Sequence, residues 1–170
     1  GRGAFRGINR YCLLARHWTL QEPPLASHWA PVRWEDWPVD GFIMQINGEE
    51  MLRKALKLSV PIVNISGSLL DTPLPSVFVD DVAVGRLAAG HFIDRGVRSF
   101  AYLGRPDTGF SAKRKRGFIA RLKEAGFPCE VHESWLELDD GTQVKWLRSL
   151  PHPTALFVYN DQRARATLQQ

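Results

Sequence analysis

Side chains able to do chemistry collect just beyond runs of apolar residues. Asn47 and Gly48 follow the run 41–46, and Ser66, Gly67 and Ser68 follow 60–65. Gly104, Arg105, Pro106, Asp107 and then Phe110 lie beyond 100–103. Glu133, Ser134 and Trp135 follow 130–132, and Asn160 and Asp161 follow 154–159. If these runs are strands of open α/β sheets, every group stands at a carboxyl end, where such sheets bind ligands. Hydroxyls, amides, carboxylates, a guanidinium and aromatic rings together suit a polyhydroxylated ligand. Polar groups take its hydroxyls and a ring covers its apolar face.

Each residue also has a purely structural reading. Asn160 and Asp161 sit where a helix cap belongs, and Asp80 does too. Ser66 fits a turn, and Trp135 fits a core. Arg114 belongs to the basic run Lys113 to Arg116, which reads as a solvated helix face. Four residues before Phe118, however, Arg114 flanks the stripe of Phe118 and Leu122, so it can also turn toward a cleft.

Catalytic signatures are sparse. No G-x-S-x-G or phosphate loop occurs, and the five histidines show no metal-ligand spacing. One near match exists: Gly1, Gly3 and Gly7 resemble the dinucleotide fingerprint, with the third glycine one place late and Glu22 where a ribose-binding acid belongs. Arg6 occupies the third glycine's place, which disfavours it. The chain reads as a non-enzyme, needing no cofactor or metal, with a dinucleotide-dependent oxidoreductase as a rival class.

Composition narrows the setting. The 170 residues are 44% hydrophobic and 24% charged, a globular balance. No run reaches the roughly 18 apolar residues of a membrane helix, and no signal peptide is evident. Cys12 and Cys129 lie far apart, which argues against a disulfide framework and for the cytoplasm. The net charge of +4 permits contact with nucleic acid without requiring it.

The elements that must position these groups alternate. A helix is expected over 3–16, with Phe5, Ile8, Cys12 and Ala15 on one face, then a short strand at 18–21 and an irregular segment over 22–38. Strands are expected at 41–46, 60–65, 76–79, 100–103, 130–132 and 154–159. Helices are expected over 49–58, from a cap at Asp80 or Asp81 to about 95, from a Ser111 cap to 125, and over 142–150. A last helix opens at Asp161, and Gly96 and Gly126 stop theirs. Strand–helix alternation implies βαβ units and a mainly parallel sheet covered on both faces. Opening on a helix, with no first strand before it, suggests a fragment.

The run from Val77 to Gly96, then Phe100 to Gly104, then Ser111 to Phe118 with Leu122 and Gly126, is distinctive. It resembles the effector-binding region of the lactose/galactose repressor family, whose fold is that of periplasmic sugar-binding proteins. The opening Gly1 to Tyr11, Trp146 to Pro151 and Asp161 to Arg165 further resemble the xylose operon regulators, which carry an AraC-type DNA-binding domain. The resemblance implies an α/β, periplasmic-binding-protein-like fold of two doubly wound parallel-sheet lobes. The first is expected over 1–97, lacking its first strand, and the second, incomplete, over 98–170. It also implies that a sugar sits between the lobes, touched by Arg114 and Asn160, with Asp161, Ser66, Phe110 and Trp135 as further candidates. Where some sugar binders carry Asp-Arg, this chain has Ser66 and Gly67. The expected function is sensing a pentose, xylose favoured, within a homodimeric regulator that reaches DNA through a domain beyond Gln170. A periplasmic transport binding protein of the same fold is the alternative.

Overall fold

The computed structural model describes residues 2–15, 18–21, 33–134 and 141–169. The chain forms two compact units, Gly1–Trp37 and Pro38–Gln170.

The first unit contains helix α1 (Arg2–Ala15) and a 3-10 turn (Trp34–Asp36). Ile8, Cys12 and Ala15 are partly buried along one face of α1, as their spacing implies, whereas Phe5 is exposed. Residues 18–21 are not a strand: no described neighbour pairs with them, and Trp18 packs its ring edge-on against Tyr11 at 5.3 Å.

The second unit follows the expected alternation. In chain order it holds β1 (Phe42–Met44), α2 (Glu49–Ala55), β2 (Ile62–Asn64), α3 (Asp81–Asp94), β3 (Phe100–Gly104), α4 (Gly109–Glu124), β4 (Glu130–Glu133), α5 (Thr142–Ser149), β5 (Ala155–Val158) and α6 (Asp161–Thr167). Every pairing is parallel. β1 lies beside β2 with Phe42 opposite Ile62, and β3 lies between β4 and β5 with Tyr102 opposite Val131 and Phe157. Residues 76–79 reduce to a single parallel bridge, Ser76 against Asn64.

Only β3 is buried along its whole length; β1 exposes Ile43, and β4 is largely exposed. Full coverage of both faces therefore holds for the central strand, which has helices and neighbours on all sides. Its Phe100 and Tyr102 join Phe118 and Leu122 of α4, Ala89 of α3, and Ala155 and Tyr159 at β5 in one core. Ala88, Phe92, Ile93 and Val97 pack against the same cluster. Helix α3 thus shares its core with β3, α4 and β5, which lie on the far side of the expected division at 97/98.

Two glycines let α3 and α4 meet backbone to backbone. A Cβ on Gly85 would stand 2.1 Å from the Arg114 carbonyl oxygen, and one on Gly117 would stand 2.0 Å from that of Val82. No side chain fits at either place. The crossing holds the first turns of both helices side by side, and those turns carry Asp81 and Arg114. Gly96 and Gly126, both with positive φ, close α3 and α4 as expected.

Ser111 does not cap α4. The helix begins at Gly109, and the buried Ser111 hydroxyl accepts from the Arg105 backbone N–H at 3.0 Å. Tyr102 donates its hydroxyl to the Ser111 carbonyl at 2.8 Å. The two residues pin the exit of β3 onto the first turn of α4.

Candidate functional site

The carboxyl ends of β2, β3 and β5 converge around one arginine. Arg114 donates through Nε to Asp81 Oδ1 at 2.8 Å and through Nη1 to the Tyr159 carbonyl at 2.7 Å. Its guanidinium carbon lies 5.2 Å from the centroid of the Phe110 ring, which stacks on Tyr159 at 6.2 Å and 28°. Acceptors on two elements and a ring thus hold the guanidinium plane. Its Nη2 has no partner among the described residues and remains able to donate. Asp81, only 3% exposed, is the buried anion that balances this cation. Such a pair is held by charge-assisted hydrogen bonds, and losing either member strands the other charge.

The loop after β2 completes the neighbourhood. Gly109 donates its backbone N–H to the Ser68 carbonyl at 2.7 Å, tying this loop to the start of α4. A Cβ on Gly67 would stand 3.3 Å from Asp81 Oδ2 and 3.6 Å from the Phe110 Cβ. Asn47 Oδ1 accepts from both Ser66 Oγ, at 2.7 Å, and Ser68 Oγ, at 3.1 Å. The ends of β1 and β2 therefore present a cluster of uncharged donors and acceptors.

Asn64 organises this cluster, and sequence reasoning passed over it. Fully buried at the end of β2, it accepts on Oδ1 from the N–H groups of Ile46 and Ser66 and donates from Nδ2 to the Ser66 carbonyl. Only an amide can both accept and donate there. The available signal was an asparagine closing an otherwise apolar strand run. Asp81 was missed as an arginine partner for a related reason: beside Asp80 it read as a second capping choice. Asp80 is the cap, accepting from the Ala83 N–H at 3.0 Å, which leaves Asp81 for Arg114.

Of the expected ligand residues, Ser66, Phe110, Arg114 and Asn160 gather at these strand ends. Asn160 caps α6, its Oδ1 accepting from the Arg163 N–H at 2.7 Å. Asp161 is exposed in the first turn of α6, and its carboxylate has no partner among the described residues. Trp135 lies outside the described residues.

The basic run is mostly engaged rather than solvated. Lys113 Nζ lies 4.6 Å from the centroid of the Phe78 ring, Lys115 pairs with Glu133 at 2.7 Å, and only Arg116 is exposed. The amino-terminal half of α4 is wedged beside α3 and β4, which brings partners within reach of its cations. A second buried polar pair sits apart: Arg163 donates to Gln143, and both are buried.

Nothing in the geometry supports the dinucleotide reading. Gly3 and Gly7 lie inside α1 with open space around them rather than in a turn entering a helix, and Glu22 is outside the described residues. Both cysteines are free. Among the described residues no group of His, Cys, Asp and Glu could hold a metal, and no helix is long and apolar enough to cross a membrane.

Known proteins with this pattern are sugar-linked regulators. Residues 89–170 match the family described as periplasmic binding protein-like domain. The xylose operon regulatory protein of Escherichia coli strain K12 is 27% identical over 149 residues, covering 79% of this chain and 38% of that protein. The structure of a xylose-binding transcription activator superposes with a TM-score of 0.75 at 23% identity, over 99% of this chain and 45% of the other. A periplasmic binding protein/LacI transcriptional regulator from Alkaliphilus metalliredigens, solved with D-xylulofuranose, gives a TM-score of 0.57 at 17% identity over 77% of this chain and 51% of the other. The chain thus spans under half the length of the curated relatives it matches. It has the periplasmic-binding-protein-like fold and is similar, over more than three quarters of its length, to xylose operon regulatory proteins.

Proposed function

We propose that this chain is the sugar-sensing part of a transcription regulator, with a pentose, xylose favoured, bound at the Arg114 neighbourhood. The observation that carries the reading is the held guanidinium with one free donor, set beside an aromatic ring and the Asn47, Ser66 and Ser68 cluster. That set offers hydroxyl-sized donors and acceptors and one ring, which is what a small sugar uses. Arg114 and Asn160 are assigned as the principal contacts, with Ser66, Phe110, Asp161 and Trp135 lining the site.

Two lobes are part of the proposal. The β1–β2 sheet belongs to the first, and β3 to β5 with α3 belong to the second, so the division falls nearer 80 than 97. A sugar bridging both would favour one lobe orientation, and that preference would be passed to DNA through an AraC-type domain elsewhere in a longer, homodimeric, cytoplasmic protein. Binding, not turnover, is the assigned activity. The regulators among the relatives favour this over a transport role.

Titration calorimetry of the intact protein against pentoses and hexoses tests the reading. One pentose should bind, and Arg114→Ala should weaken it by about tenfold or more, the scale of a lost hydrogen bond to a charged group. Binding of no sugar, with tight binding of NADP instead, would overturn the reading in favour of the oxidoreductase.

A further inference from the structure

We propose that Asp81 sets the charge class of ligand that the Arg114 site accepts, selecting uncharged sugars over sugar acids and sugar phosphates. The proposal rests on the functional reading above and names a residue and a selectivity that the reading does not contain. An arginine in a cleft is ordinarily an anion site, because its planar fork fits a carboxylate or phosphate through two parallel N–H bonds. Here that fork is already spent. Nε is given to Asp81 Oδ1 at 2.8 Å and Nη1 to the Tyr159 carbonyl at 2.7 Å. The Phe110 ring lies 5.2 Å from the guanidinium carbon. What remains is the single nitrogen Nη2, a directional donor whose charge is cancelled by a carboxylate only 3% exposed. One donor of that kind fits a hydroxyl or ring oxygen and cannot form a paired contact with an anion.

The surroundings supply no replacement cation. Lys115, next along α4, is held by Glu133 at 2.7 Å, and Lys113 lies over the Phe78 ring. The Asn47, Ser66 and Ser68 side chains are neutral and bonded to one another. Asp161, beside Asn160, adds a negative charge that disfavours anions further. The seat of the Asp81 carboxylate depends on Gly67, where a Cβ would press on Oδ2 at 3.3 Å. The bare loop position and the buried aspartate therefore act together: one leaves room and the other removes the net charge.

The test compares a neutral sugar with its own aldonic acid, D-xylose with D-xylonate, by titration calorimetry of the intact protein; if another sugar of the panel binds best, it and its acid are used. Wild type should bind the sugar about tenfold or more tightly than the acid, and Asp81→Asn should shrink that ratio about tenfold by losing sugar and gaining acid. Equal wild-type affinities, or an unchanged ratio in Asp81→Asn despite weaker binding, would show a merely structural aspartate. Should Asp81→Asn not fold, the double variant Asp81→Asn with Arg114→Gln restores a neutral pair. It should bind the acid no better than wild type, and a gain there would overturn the proposal. A wild type that binds no neutral sugar removes the functional reading and this selectivity with it, whereas sugar binding with an unaltered ratio removes the selectivity alone.

Discussion

The Asn160 side chain spends Oδ1 on the Arg163 N–H at 2.7 Å, and its Nδ2 stays free to donate among the described residues. Capping a helix and contacting a ligand are therefore compatible here, because the two tasks use different atoms of one amide. The pair of tasks can be separated by mutation. Aspartate caps about as well as asparagine but cannot donate, so Asn160→Asp should leave the melting temperature nearly unchanged while weakening sugar binding. Asn160→Ala should lose both, with about 1 kcal/mol of stability gone, as for other lost caps. Thermal melts and calorimetry on the two variants check this, and equal sugar affinity in Asn160→Asp and wild type would confine the residue to capping.

At the scale of elements, the α3–α4 crossing is the joint on which the site hangs. It places Asp81 and Arg114 within hydrogen-bond reach only because Gly85 and Gly117 allow the two backbones to touch. A methyl at Gly117 would have to displace the Val82 carbonyl from 2.0 Å. Gly117→Ala should therefore cost about 1–3 kcal/mol or more by overpacking, and it should weaken sugar binding beyond that by shifting Arg114 from Asp81. Chemical denaturation with calorimetry checks both effects. Gly90→Ala, on the same helix with open space around it, should do neither. Much of this layer was legible in the sequence. Apolar runs ending in Gly, Asn or Ser marked the strands, and Asp80, Gly96 and Gly126 marked helix ends, because those signals are local. The partners of Arg114 were not legible, since Asp81 lies thirty-three residues away and nothing in its own surroundings distinguishes it from a spare cap. The strand expected at 18–21 failed for the same reason: a β-rich tetrapeptide is a strand only if the fold brings it a neighbour.

For the whole molecule, stability and site integrity share one group. Tyr102 is fully buried at the centre of the core, and its hydroxyl ties β3 to the turn of α4 that bears Phe110 and Arg114. Burial pushes its pKa up from 10.0 to about 12, against the smaller opposing pull of its Ser111 hydrogen bond. The folded protein then keeps a proton that the unfolded chain releases near pH 10, so stability present below pH 10 is lost progressively as pH rises toward 12. Burial likewise lifts the partly buried Cys129 thiol to about 11, and its contribution falls away over an earlier window, between 9 and 11. Substitution separates the two. Tyr102→Phe should be about 1 kcal/mol less stable at neutral pH for the lost hydrogen bond, yet show a shallower decline above pH 10. Cys129→Ser should flatten the decline between 9 and 10.5 and leave the later fall intact. Denaturant titrations at half-unit pH steps measure these slopes. Because the Tyr102 hydroxyl anchors the turn that presents Arg114, sugar affinity in wild type should fall over the later window and not the earlier one. An affinity that instead followed the Cys129 window would detach the site from the Tyr102 anchor.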